Sequence, residues 1–222
     1  MSSPISTIWQ TIISFWWFLL IVIIFEVLYI IIRSRLPFLI GRSGERFVSK
    51  RLNRLDPTHY KVLDNLMLPS KGRMSTTQID HVIVSSYGIF CIETKAHDGW
   101  IIGDADKEYW TQSTFLHRRR LYNPLRQNFA HVKAIEEAIG LQRLKAPVVP
   151  FVVFTNASRL KVSGVDFVGN LKDMLKKINA FTKVIFSDAE RDEIYYLLVS
   201  ANIVDKGVRR SHDQIVRNLK GR

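Results

Sequence analysis

Asp80, Glu93 and Lys95 lie in two runs rich in β-branched residues, QIDHVIVS and IFCIETK, separated by Ser-Ser-Tyr-Gly. Such runs around a short polar segment predict an antiparallel hairpin. If Val84 pairs with Ile89, Asp80 stands opposite Glu93 and Lys95 opposite Gln78. Opposed residues share a face with Cβ atoms about 4.5–5.5 Å apart. Alternation then puts Gln78, Asp80, Val82 and Val84 with Ile89, Cys91, Glu93 and Lys95 on one face, and Ile79, His81, Ile83, Phe90 and Ile92 on the other. Two carboxylates in an apolar setting repel, and one takes up a proton unless a cation lies between them. A hard divalent ion resolves the conflict: Mg²⁺ takes one or two protein carboxylates and fills its remaining positions with water and phosphate oxygens. A metal held by Asp80 and Glu93 would activate water against a phosphodiester. Lys95 would hold that water or stabilise the charge growing on the phosphate. Spacing alone favours ordinary surface charges; the register and the apolar strands around these residues are what point to a site.

Several elements must position the hairpin. Phe47, Val48, Leu52 and Leu55 recur at helical spacing in GERFVSKRLNRL, predicting an amphipathic helix that ends near Pro57, after a break at Pro37 and a hinge at Gly41 and Gly44. A strand is expected over Tyr60–Leu68, followed by the polar, basic loop PSKGRMSTT, and short aromatic strands over GWIIGD and EYWTQS. NPLRQNFAHVKAIEEAIG predicts a helix capped by Asn123 with Pro124 at its first position. A buried strand follows at Val148–Thr155 and a helix at Asp188–Val199. Strands flanked by helices in this order indicate an α/β or α+β layered fold.

The amino-terminal run from Ile8 to Ile32 is apolar apart from Gln10, Thr11, Ser14 and Glu26, and as a helix it spans roughly 37 Å, enough to cross a bilayer. It lacks the basic start and small-residue cleavage site of a signal peptide. Arg33, Arg35, Arg42 and Arg46 follow the run, so the rest of the chain is expected on the cytoplasmic side of a bacterial-type inner membrane, with the amino terminus outside. Trp9 suits the outer interface. Glu26 must snorkel, pair or be protonated inside the span.

Taken together, these segments resemble the nuclease-related domain family, a branch of the restriction-endonuclease-like superfamily built around an Asp…Glu-x-Lys core. The likeness runs through GRSGERFVSKRL, TQIDHVIVSSYGIFCIETKAHDGWIIGD, NPLRQNFAHV and VVPFVVF, roughly Gly41 to Thr155. It implies a mixed sheet flanked by helices and a Mg²⁺- or Mn²⁺-dependent nuclease. By that resemblance Asp80 and Glu93 match metal ligands, Lys95 matches the catalytic lysine, Glu45 matches an acidic position on the first helix, and Gln127 matches a polar position on the helix near the site. Ile79, rather than proline, precedes Asp80. The organisation expected is an anchor over residues 1–33, a linker over 34–40, the nuclease-related domain over 41–186 and a helical extension over 187–222.

Net charge is +12, and none of the 32 Lys and Arg residues precedes Arg33. The remainder is therefore strongly basic, suited to a polyanion or to anionic lipid. Nucleic acid, with DNA ahead of RNA, is the expected partner, and a non-catalytic binding or scaffold module is the rival reading. Gln78, Lys71, Arg73, Arg118, Arg119 and Arg120 are the candidate nucleic-acid contacts. Trp100, Tyr109 and Trp110 could stack on bases, with core packing favoured for the tryptophans. A single cysteine, Cys91, excludes a disulfide framework and a cysteine metal cage. His81 reads as structural, while His97 is within reach of a role. The tail over Ile203–Leu219 has a helical repeat that suits docking, a membrane surface or a nucleic-acid arm. The topology is testable: a reporter active only in the periplasm, fused after Arg222, should stay silent, and an active fusion would reverse the orientation.

Overall fold

The apolar patterns become helices and strands in a computed structural model that describes residues 4–71, 74–140 and 143–220. The first helix, α1, is assigned from Pro4 to Leu52. It passes without interruption through Pro37, where a break was expected, so the proline forfeits one i→i−4 bond rather than ending the helix. Contacts divide the chain after Ser43. Up to that point the described side chains of α1 are mostly exposed aromatic and aliphatic groups, Phe15–Phe18 and Leu28–Ile32 among them. This is the one helix among the described residues long and apolar enough to span a membrane.

From Gly44 onward the chain forms one unit. Strands β1 (Tyr60–Pro69), β2 (Thr76–Ser85) and β3 (Gly88–Lys95) make an antiparallel meander. The β2–β3 register pairs Val84 with Ile89 and His81 with Ile92, as the sequence predicts, around a Ser86–Tyr87 turn. Gly88 closes that turn at φ 151, a region open to glycine. Strands β4 (Gly99–Asp104), β5 (Tyr109–Ser113) and β6 (Arg118–Tyr122) continue the chain into α2 (Pro124–Ile139). There follow β7 (Val149–Phe154), β8 (Ala157–Ser163), β9 (Val168–Gly169), α3 (Leu171–Asn179), α4 (Asp188–Ala201) and α5 (Lys206–Lys220). Two sheets result, ordered β1-β2-β3-β7-β9 and β6-β5-β4-β8. The parallel β3–β7 pair hands over to the parallel β4–β8 pair, and where the strands leave the first sheet the Thr155 amide donates to the Lys95 carbonyl at 3.0 Å.

Helices cover both faces of the first sheet. Val48 and Leu52 of α1 and Leu171, Met174 and Ile178 of α3 pack on Ile83, Phe90, Ile92, Phe151 and Val153. On the other face Val132 and Ile135 of α2 and Ile194 and Leu198 of α4 pack on Val82, Val84, Ile89 and Cys91. Ile79 joins this second cluster, which departs from strict alternation. Its cause is local. Opposite this point in β1, Asn65 adopts φ 55, a left-handed conformation that asparagine tolerates, and the paired positions skip Asn65 and Asp80. Ile79 and Thr77 thus turn toward α2, while Gln78 turns away and donates to Asn65 Oδ1 at 2.7 Å. The β2–β3 ladder stops at His81 and Ile92, so the expected pairings of Asp80 with Glu93 and of Lys95 with Gln78 are both lost.

The second sheet packs Ile101, Trp110, Leu121 and Leu160 against Val152 and Phe154 of β7. Trp110 lies directly over Gly103, where an added Cβ would come within 2.3 Å of the indole ring. Gly103→Ala should therefore destabilise the fold by about 1–3 kcal/mol, read as a lower midpoint in urea unfolding followed by circular dichroism. An unchanged midpoint would show that the ring can move away.

Candidate active site

Three secondary-structure elements converge on one buried carboxylate. Glu93, near the end of β3, is 2% exposed. Its Oε1 lies 2.6 Å from Lys95 Nζ and its Oε2 lies 3.1 Å from His131 Nε2. Lys95 also donates to Gln127 Oε1 at 2.8 Å. Gln127 and His131 are four apart on α2 and so share one face of it. A carboxylate only accepts, which places the proton of a neutral His131 on Nε2 and leaves Nδ1 to accept from Thr77 Oγ1 at 2.8 Å. Next along α2, Asn128 is fully buried, donates to the carbonyls of Cys91 and Phe151, and accepts from Cys91 Sγ. Pro150, opposite Cys91 in the parallel pair, has no N–H to offer.

Asp80 enters from β2, where its Oδ2 accepts the Thr94 amide at 2.7 Å. Burial pushes its carboxyl well above the usual range, and the charges of Glu93 and then Glu45 add to the effect. For Glu93, burial acts in the same direction, but the Lys95 ammonium and the His131 bond outweigh it and bring the carboxyl down to about 2. Lys95 is likewise opposed by burial and held charged by Glu93, so its pKa is raised. Glu45 belongs to the stretch of α1 that approaches the sheet at Gly44, where a Cβ would lie 3.1 Å from Ala96 Cβ and Thr155 Oγ1. Glycine at 44 serves a close approach.

The arrangement suits a hard cation. Burial first, and then the charges of Glu93 and Glu45, push the Asp80 carboxyl up, and a divalent ion held by Asp80 and Glu93 would offset the repulsive part of that shift. No cluster of three or more His, Cys, Asp and Glu poised for a metal occurs among the described residues. Two carboxylates nevertheless suffice for Mg²⁺, which keeps most of its waters.

This fold and site define a class. A profile of the nuclease-related domain matches residues 40–155, and the chain belongs to that family, within the restriction-endonuclease-like superfamily. An uncharacterised protein of Bacillus anthracis is 32% identical over 206 residues, covering 89% of this chain and 97% of that protein. No solved structure matches the chain.

Of the candidates read from sequence, Glu93, Lys95 and Gln127 meet directly, and the Asp80 carboxylate, with the Glu45 charge, acts on the same group. Gln78 is turned toward Asn65. Lys71 is exposed and lies 3.4 Å from Glu137; Arg73 lies outside the described residues. Arg118, Arg119 and Arg120 form exposed β6. His81 is structural in its contacts, with Nδ1 at 2.6 Å from Asp64 Oδ1, and half-buried His97 follows Lys95 by two residues. His131, Thr77 and Asn128 went unread. His131 carried a usable signal, since it repeats Gln127 one helical turn on.

The opposed shifts of Asp80 and Glu93 give stability a pH signature without metal. A raised carboxyl weakens the fold as pH climbs through its folded pKa, and a lowered one weakens it as pH falls from about 4.5 toward about 2. Asp80→Asn, which can still accept the Thr94 amide, should raise Tm at pH 7 by about 2–4 °C per kcal/mol relieved and leave it unchanged below the ordinary Asp pKa of 3.8. Glu93→Gln should lower Tm at pH 7. Melting both variants in EDTA checks the signs; a drop in Tm for Asp80→Asn at neutral pH would refute the electrostatic picture.

Proposed function

We propose that this protein is a metal-dependent phosphodiesterase acting on nucleic acid, DNA foremost, tethered to a membrane by α1 with its folded unit in the cytoplasm. The observation that carries the proposal is the Lys95 ammonium held between Glu93 and Gln127, beside a second carboxylate at Asp80. The exposed apolar surface of α1 before Ser43, followed by arginines, supports the tether.

Mg²⁺ or Mn²⁺ held by Asp80 and Glu93 would supply Lewis-acid activation of the phosphate and lower the pKa of water. The protein's own groups do the rest. Lys95, kept protonated by Glu93, presents a fixed positive charge to a phosphoryl oxygen as negative charge accumulates there during attack by water. Gln127 fixes the Lys95 side chain and His131 fixes Glu93, so neither must reorganise when phosphate arrives. The bond from water oxygen to phosphorus forms as the bond to the leaving alkoxide breaks, the water gives up a proton to solvent, and the alkoxide takes one from solvent to leave as the alcohol. Basic residues on the surface hold the polyanion by counterion release, which makes binding steeply salt-dependent.

The test is cleavage of labelled DNA by the full-length protein in detergent. Cleavage should require Mg²⁺ and cease in EDTA. Asp80→Ala and Glu93→Gln should remove it, and Lys95→Ala should lower kcat by about 10²–10³-fold with metal affinity retained. Cleavage that survives EDTA or Asp80→Ala would refute the assignment. Salt-sensitive binding without any cleavage would favour the non-catalytic scaffold.

A further inference from the structure

The second sheet has an outward face that the catalytic reading leaves unused. Ile101, Trp110, Leu121 and Leu160 point inward, so the alternate positions of β4, β5, β6 and β8 face out. Trp100, Tyr109 and Tyr122 occupy that face at 43%, 42% and 48% exposure. Cations accompany them: Arg159 and Lys161 lie 5.1 and 5.0 Å from the Trp100 ring centre, and Arg120 lies 4.0 Å from that of Tyr109. Strand pairing aligns Trp100 with Ser113 and Tyr109 with Tyr122, while Arg120 pairs with Thr111 between those rows. At ~3.3 Å per residue along a strand and ~4.8 Å between strands, the two aromatic stations stand roughly 14 Å apart. Asp104, an acid in β4, has its oxygens engaged by Ser163 Oγ and the Asp106 amide.

We propose that this face is a platform for a single nucleic-acid strand, bases stacked on Trp100 and on the Tyr109–Tyr122 pair and phosphates held by Arg120, Arg159 and Lys161. The inference rests on the hydrolase reading for its connection to the site, and on the face itself for the ligand. Ring faces recognise unpaired bases, because paired bases hide theirs within the duplex stack, and a guanidinium plane stacks on a base as a ring does. A sheet face rich in both and poor in acid complements a polyanion with exposed π surfaces. A lipid surface needs no ring-on-cation ladder. The platform also lies close to the chemistry: Trp100 is five residues beyond Lys95, a reach of at most ~17 Å.

The experiment is fluorescence anisotropy with the full-length protein in detergent and EDTA, using a labelled oligo-dT strand and a labelled duplex of equal length. The wild type should prefer the strand. Trp100→Ala should weaken strand binding roughly tenfold, with a smaller effect on the duplex, and Trp100→Phe should restore it. Arg159→Ala, a change at an exposed position, should weaken strand binding severalfold and decides the matter if Trp100→Ala fails to fold by circular dichroism. Strand affinity unchanged in the folded variants, with Mg²⁺-dependent cleavage intact, overturns the platform alone. Strand binding that depends on Trp100 without any cleavage upholds the platform and removes the hydrolase. Binding of neither probe at low salt overturns both. Loss of binding to phosphatidylglycerol vesicles, but not to the strand, in these variants would assign the face to lipid and overturn the proposal.

Discussion

The rest of the structure depends on how the Glu93 carboxylate is kept ionised inside the protein. Removing such a group from water costs several kcal/mol, and only close partners of opposite charge or good hydrogen bonds offset that. Lys95 is the first partner and is itself nearly buried, so it needs Gln127 in turn. His131 is the second. Both helix residues lie on α2, and α2 can present them only if its amino terminus is fixed. That is the task of Asn123, whose Oδ1 accepts the Leu125 amide while its Nδ2 donates to the carbonyls of Ala105 and Lys107 in the β4–β5 connection. The second sheet thus supports the site from a distance, by holding the helix that holds the carboxylate's partners.

A second dependency runs through the kink at Asn65 and Asp80. A strand of unbroken alternation would have sent Thr77 and Ile79 away from α2 and left His131 without its hydroxyl partner. The kink also interrupts the ladder next to Asp80, freeing the Thr94 amide for the Asp80 side chain. The carboxyl-terminal helix is fastened here: Arg209 donates to the Asn65 carbonyl and side chain, and His212 meets Thr76 at 2.9 Å. Just upstream, Asn202 accepts the Met67 amide. The tail therefore braces the strand segment that delivers Asp80 and Thr77, and the docking role read from its helical repeat is the one its contacts display.

The sequence showed the hairpin register as far as His81 and Ile92 and the Asn123 cap because each follows from local rules: alternation and capping chemistry. Gln78 was misplaced because strict alternation cannot foresee a left-handed asparagine on the neighbouring strand. The break expected at Pro37 was a local penalty that the rest of the helix absorbs. Within the segment Ala157–Asn179, β8 is half-exposed and β9 is two residues long, and both draw their order from β4 and β7; α3, by contrast, carries a helical repeat, Leu171, Met174, Leu175 and Ile178 behind the Asn170 cap, that was legible and is absent from the expectations. His131 and Asn128 escaped because their function exists only once α2 is laid across β3, a non-local contact that no spacing rule encodes.

Opposed carboxylates are usually described as symmetric, but here the environment separates them. Glu93 is ionised by its fixed partners whether or not a cation is present, whereas Asp80 has one backbone amide for a partner and faces the charges of Glu93 and Glu45. In the proposed metal site the two ligands would therefore differ: the Glu93 carboxyl is held down to about 2, whereas that of Asp80 is pushed up by burial. Preorganisation and responsiveness are divided between two residues of the same chemical kind, and the division is set by which strand each occupies. Glu93 lies within reach of His131 on α2 and of Lys95 on its own strand. Asp80 lies where the ladder is interrupted, and there the Thr94 amide and the Lys95 charge offset only part of the cost of its burial.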